Sequence, residues 1–454
     1  MNTTAPTACA AWPRLAAQAG SAQPAFGAEG KAQAPGLALD FSRQRLDGTT
    51  LRLLAQLAAE RGFQGWREAY FTGGKVNATE GRAAWHVALR AAEPPAEVAE
   101  AQARMKALHA RVRNDFSRVV HLGTGGSDTG PRLLADAFGT GDVDVRYVAN
   151  ADPLELERAL AGAVPARTLV VVVSKTFTTP ETMGNAQASR AWGAKHFFAV
   201  TENAPAAQAF GAAEVLPVWD WVGGRFSVWS PVGFSALCAI GPEAFEAFLA
   251  GGRDLDAHFR QAPVAENVPA LMALLGVWNT NFLGARAHAV VPYAHRLRLL
   301  PAYLQQLEME SNGKRVDREG RDVAHATCPV VFGMEGTNSQ HAFHQLLHQG
   351  TEAVPVDIID PGVTPVLSAN ARAQADALAQ GTSDAALPPH QRLPGGRPCS
   401  LLAMEGLSPR ALGRLIATYE HKVFTQGVLW NINSYDQWGV ELGKALARRI
   451  LDRP

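Results

Sequence analysis

A chain of 454 residues, 47% of them hydrophobic, can bury a large core and reads as two or more globular domains. Lysine plus arginine balance aspartate plus glutamate at 42 each, so no net field recruits nucleic acid or an anionic membrane, and an anionic ligand must be held by a local site. Cys9, Cys238, Cys328 and Cys399 are scattered with no C-x-x-C pair, which fits a reducing, cytoplasmic setting; the start lacks a signal-peptide pattern, and no stretch approaches transmembrane length.

Residues 1–35 are rich in Ala, Gly and Pro without periodicity and are expected to form a mobile extension or an appended leader. From 37 to 90 the pattern turns helical, with Leu51, Leu54, Leu57 and Ala58 on one face and a compact segment, RAAWHVALR, at its end. Between them GGKVNATEGR reads as a polar loop; its Asn77-Ala78-Thr79 matches a glycosylation sequon, an accidental match in a chain without a signal peptide. From Val119 the grammar is strand, turn, helix: strands at 119–122, 143–148, 168–173 and 196–200, helices at 152–160 and 180–192. That alternation predicts a doubly wound parallel sheet, which binds ligands outside the carboxyl ends of its strands.

Two loops at those ends have the composition of a phosphate site. Gly123-Thr124-Gly125-Gly126-Ser127 lets backbone approach a ligand closely, adds a hydroxyl and leads to a helix N-terminus near Pro131. After the third strand comes SKTFTTPET, residues 174–182, where Thr179 can cap a helix opened by Pro180. The nucleotide motif G-x-x-x-x-G-K-[ST] and a ribose-binding acid are both missing, so a monophosphate fits better than ATP or NAD. Either loop alone reads equally as turn and cap chemistry; the pair favours phosphate.

Next, Val222-Gly223-Gly224-Arg225 places a guanidinium after a glycine pair, suited to a developing oxyanion or to a structural turn. A second sheet is expected from strands at 287–293, 329–332 and 353–359, with helices at 269–283, 300–314 and 338–349. The stretch 371–398 reads as a surface excursion, and helices at 409–429 and 436–452 close the chain. In 300–314, LPAYLQQLEMESNGK, Leu300, Tyr303, Leu304 and Leu307 form an apolar stripe that Glu310 continues, just before Asn312 and Gly313 stop the helix. A partly desolvated carboxylate at the negative end of a helix is harder to ionise, which moves it toward the range of a general base; the alternative is a surface glutamate in the last turn. His341, His344 and His348 share one face of 338–349, but no acidic or thiolate ligand at motif spacing completes a metal site. In the last helix Gln437, Glu441 and Lys444 line up beside an apolar face at Val440 and Leu442, where a lysine ordinarily snorkels to water.

These residues carry a resemblance. GTGGSDTGP at 123–131, SKTFTTPET at 174–182, VGGRFSVWSPVG at 222–233, LPAYLQQLEMESNGK at 300–314, EGTNSQHAFHQLLHQG at 335–350 and INSYDQWGVELGK at 432–444 are similar, in this order, to the phosphoglucose isomerase family. The resemblance covers nearly everything from Leu37 onward. It implies an α/β fold of two αβα sugar-isomerase domains with doubly wound parallel sheets, an N-terminal helical segment and a C-terminal helical arm. The implied division is an extension at 1–35, a helical segment at 36–114, a small phosphate-binding domain at 115–260, a large domain at 261–433 and a C-terminal helix at 434–454.

The resemblance also implies a reaction: glucose 6-phosphate and fructose 6-phosphate interconvert through a cis-enediol, in glycolysis and gluconeogenesis, without metal or other cofactor. By motif position Gly126, Ser127, Ser174, Thr176 and Thr179 hold the phosphate, with Lys175 beside them. Glu310 moves the proton between C1 and C2, Arg225 and the Gly224 backbone hold the enediolate oxygen, His341 and Lys444 open the ring, and Gln437 positions substrate. The family works as a homodimer with shared sites, the histidine coming from the neighbouring subunit. Thr124 and Thr129 stand where the family commonly has aliphatic residues, Ser339 replaces a glycine and His344 an aromatic. A phosphosugar sensor is the rival from another class, and a preference for mannose 6-phosphate the rival among enzymes.

Overall fold

Eleven strands make one parallel and one mixed sheet in the computed structural model, which describes residues 2–21 and 30–451. A hairpin of β1 (Lys31–Ala34) and β2 (Leu37–Arg43) is followed by β3 (Arg118–Leu122), β4 (Asp144–Val148), β5 (Thr168–Val173), β6 (His196–Thr201) and β7 (Glu214–Pro217). These last five form one sheet in the order β4-β3-β5-β6-β7, all parallel. Then β8 (Ala287–Pro292), β9 (Val330–Gly333), β10 (Val356–Asp360) and β11 (Cys399–Met404) form the parallel part of the other sheet, ordered β11-β10-β8-β9, with β2 and β1 added antiparallel at the β11 edge.

Both parallel parts follow one rule: the first strand is flanked by the second and the third. The chain therefore reverses its direction of winding beside β3 and beside β8, opening a crevice at the carboxyl ends there. Each sheet is buried on both faces. In β5, Leu169, Val171 and Val173 face the main core, while Val170 and Val172 face a second one. In β8 and β10, Val290 and Ile359 join the main core, and Ala289, Val291, Val356 and Ile358 a third. This is why β5 reads as an unbroken apolar run.

Several expectations are corrected. Residues 11–21 of the anticipated extension form a helix whose Ala11 and Leu15 are fully buried, with Trp12 against Phe282 at 4.8 Å between ring centres; residues 22–29 of that expectation lie outside the described ones. Residues 37–43 are strand, not helix: Leu37, Leu39 and Phe41 are buried at a period of two. Residues 371–380 of the anticipated loop belong to a helix, Pro365–Gln380, capped by the Thr364 hydroxyl and buried along Ala371, Ala375, Leu378 and Ala379. The fifth strand of the first sheet and β11 also went unread, as short or small-residue segments do.

The expected stripe at 300–314 is present, with Leu300, Tyr303, Leu304 and Leu307 at most 2% exposed. The helix Leu300–Leu304 continues into a π turn, Gln305–Glu310. Glu308 is buried on it and accepts two 2.8 Å bonds from the Lys422 ammonium on the long core helix Pro409–Trp430. A buried ion pair left with one partner is strongly destabilised, so this pair holds the turn that carries Glu310 against the core.

Candidate active site

The turn after β3 is a 3-10 turn, Gly125–Ser127, leading to a helix that starts at Thr129, slightly before the expected position. Beneath it lies His121, fully buried: its Nε2 donates to the Ser127 carbonyl at 2.6 Å, so Nδ1 is the bare nitrogen and accepts from the Ser235 hydroxyl at 2.9 Å. Burial holds the His121 pKa down to about 4. Gly126 has no room for a side chain, because the Gly224–Arg225 peptide lies against it. The two loops are thereby set edge to edge.

After β5, the Ser174 and Thr179 hydroxyls are 2.9 Å apart and those of Thr176 and Thr178 2.7 Å apart. Thr179 stands at the N-cap position, but its hydroxyl bonds Ser174 and not the helix backbone. Phe177 has φ +58°, a strained conformation for a bulky residue, which marks the loop as shaped for something besides stability. Lys175 donates to the Asp220 and Val222 carbonyls at 3.0 and 3.4 Å, and burial, with Arg82 nearby, lowers its pKa from the ordinary lysine value. The lysine thus ties the hydroxyl loop to the segment preceding Arg225.

Arg225 is 3% exposed and bonded through four of its five donors. Its Nε donates to Ser311 Oγ at 2.6 Å, Nη1 to Gln437 Oε1 at 3.0 Å, and Nη2 to the Ser434 and Asp436 carbonyls at 2.6 and 3.2 Å. Those four bonds leave one of a guanidinium's five donors, on Nη1, the nitrogen that lies 3.7 Å from Glu310 Oε1. The Glu310 side chain is 22% exposed, and its other oxygen accepts from Gln306 Nε2 at 2.8 Å. Lys314 also holds this strap, residues 434–437, donating to the Asp436 carbonyl and carboxylate at 2.6 Å each. A fixed cation with one free donor beside a carboxylate that still reaches solvent can take a proton from carbon and hold the oxyanion that results.

The sequon loop is tied to the same segment. Asn77 is buried and accepts from Asn433 at 2.9 Å, and the Thr79 hydroxyl donates to Asp436 at 2.5 Å. Gln306, Ser311, Lys314, Ser434 and Asp436 were missed as site residues. Only Gln306 carried a signal, the amide four residues before a carboxylate on one helix.

His341 and Lys444 are not brought to Glu310. His341 ends a 3-10 turn, Asn338–His341, separate from the helix His344–Gln349, so the shared histidine face is corrected; it is exposed and makes no hydrogen bond or ion pair with a described residue. His344 and His348 both bond the Gln374 amide oxygen at 3.1 Å. Ser339 and His344, two of the four positions expected to depart from the family pattern, bond each other at 3.2 Å. Lys444 is half exposed and bonds Glu441 at 2.9 Å on a helix, Glu441–Leu451, that leaves Leu442 70% and Ile450 67% exposed; the buried stripe expected beside it is absent among the described residues.

A family model described as phosphoglucose isomerase matches residues 40–454. A glucose-6-phosphate isomerase of Deinococcus deserti is 46% identical, covering 95% of this chain and 90% of that protein, and one of Cupriavidus metallidurans 47%, covering 96% and 90%. A crystal structure of a glucose-6-phosphate isomerase from Chlamydia trachomatis superposes with a TM-score of 0.94 at 36% identity, covering 99% of this chain and 96% of that one.

Proposed function

The chain belongs to the phosphoglucose isomerase family, and from that premise we propose how its residues divide the work. The reaction is the reversible aldose–ketose isomerisation of glucose 6-phosphate and fructose 6-phosphate. The phosphate sits between the turn at Gly126 and Ser127 and the hydroxyls of Ser174, Thr176 and Thr179, with Lys175 beside it. That anchor extends the open chain toward Glu310. Glu310 takes the proton from C2 and returns it to C1, while O1 and O2 exchange carbonyl and hydroxyl character. Arg225 spends its free donor on the enediolate oxygen, aided by the Gly224 N–H, and Gln437 places the substrate from the strap.

The observation that carries this reading is the Arg225–Glu310 pair: a cation whose other donors are all committed, 3.7 Å from a carboxylate still open to solvent. His341 and Lys444 open the sugar ring, the histidine being supplied across a homodimer. An exposed His341 without a bonding partner among the described residues supports that arrangement, as do the uncovered Leu442 and Ile450. The enzyme works in the cytoplasm, in keeping with four free thiols, and no described helix is long and apolar enough to cross a membrane. Fructose 6-phosphate formation from glucose 6-phosphate by the purified protein in EDTA, with mannose 6-phosphate run in parallel, tests the reading. Binding without turnover would make the protein a sensor.

A further inference from the structure

Glu310 meets the phosphate turn through one intermediary. The Thr129 hydroxyl, in the first turn of the helix after Ser127, donates to Gln306 Oε1 at 2.9 Å, and Gln306 Nε2 donates to Glu310 Oε2 at 2.8 Å. The Gln306 amide is also packed against the turn itself, its nitrogen 3.0 Å from where a Cβ on Gly125 would lie. Gln306 and Glu310 lie four residues apart on the π turn Gln305–Glu310, close enough for their side chains to bond directly. A glutamine side chain has several rotatable bonds, and a single bond to a carboxylate leaves it free to swing; a second partner at the far end of the amide removes that freedom. Thr129 is that partner, at a position where an aliphatic residue would offer none.

We propose that Thr129 is a positioning residue that fixes Glu310 through Gln306, linking the phosphate turn to the base. The carboxylate then has Oε2 tied to the amide and Oε1 left on the Arg225 side, 3.7 Å from Nη1, where the reacting carbons must come. A base held in one orientation spends less of each turnover in unproductive rotamers. The proposal rests on reading Glu310 as the base.

Thr129→Val keeps the shape and removes the hydroxyl. Its kcat is expected to fall about three- to tenfold, the scale of one net hydrogen bond. KM and the competitive inhibition constant of inorganic phosphate should hold at the parent's values, and the isotope effect on kcat with glucose 6-phosphate deuterated at C2 should rise. Thr129→Ser, which keeps the hydroxyl, should restore kcat, and in a Gln306→Met background Thr129→Val should add nothing. A Thr129→Val enzyme with parental kcat and isotope effect overturns the proposal; so does one whose phosphate inhibition weakens in step, or full additivity with Gln306→Met. Glu310→Gln, assayed in parallel, separates the two layers: normal turnover there removes the base itself, whereas an inactive Glu310→Gln beside a parental Thr129→Val removes only the link.

Discussion

Gly126 and Gly224 lie backbone against backbone: a Cβ on Gly126 would stand 2.1 Å from the Gly224 carbonyl carbon and 2.3 Å from the Arg225 nitrogen. The turn after β3 and the loop that carries Arg225 therefore cannot move independently. Gly126→Ala must push them apart, and a misplacement of that kind is expected to lower kcat/KM by about 10²-fold. Gly184, with nothing within 4 Å of its Cβ position on the helix Pro180–Trp192, gives the control: Gly184→Ala should leave kinetics unchanged and raise stability slightly. Steady-state kinetics and thermal melts of the two variants check both expectations.

Arg225→Lys is the second. A lysine is a point charge with three donors and cannot reach Ser311, Gln437 and two strap carbonyls together while presenting a further donor to substrate. Turnover should drop by about 10² to 10³, or ~2.7 to 4 kcal/mol, the scale for one oxyanion donor. Inhibition by inorganic phosphate should be little changed, since the anchor residues are untouched. Turnover near the parent's would put the oxyanion elsewhere.

The third concerns acid stability. His121 is held neutral in the folded chain by burial, with a pKa of about 4 against an ordinary 6.5; Arg132 acts in the same sense and the bond to the Ser127 carbonyl opposes it. Because the unfolded chain binds the proton first, the contribution is fully present above pH 6.5 and is lost as pH falls toward 4. The loss amounts to about 3 kcal/mol. Denaturant unfolding at pH 7 and again near the acid limit should show a smaller fall for His121→Asn than for the parent. Equal falls would mean that His121 titrates alike in both states.

The stripe ending at Glu310 and the turns after β3 and β5 were legible because each is local: a helical period in one case, a strand–turn–helix boundary in the other. The committed bonds of Arg225 were not, since Ser311 lies 86 residues away and Gln437 212, and nothing in either segment names the other. Nor was the bond between Ser339 and His344, which forms because the turn ending at His341 and the helix from His344 meet at an angle that no periodic pattern states. The strand 37–43 was misread because a short alternation was scored against a helical period. Lys444 was placed beside a buried stripe on the strength of an amphipathic pattern, yet such a pattern does not say what covers the face.

The fourth prediction follows from the shared-site dimer. If Glu310 works with the partner's His341, Glu310→Ala and His341→Ala homodimers are each nearly inactive on ring-closed substrate. A mixed dimer collects both changes in one site and leaves the other intact. Unfolding the two variants together and refolding them should restore activity to roughly one quarter of the parent's if subunits pair at random. Each variant refolded alone gives the baseline. A mixture that stays inactive although mass spectrometry shows mixed dimers would place His341 in its own chain's site.

The central claim is that Glu310 is the base, and Glu310→Gln tests it most directly because it keeps the volume and removes the proton acceptor. Exchange of the C2 proton of glucose 6-phosphate with deuterated solvent, followed by NMR while phosphosugar binding is measured on the same protein, separates chemistry from recognition. Exchange and isomerisation are expected to vanish together while binding and fold persist. Exchange at the parent's rate in Glu310→Gln would contradict the claim.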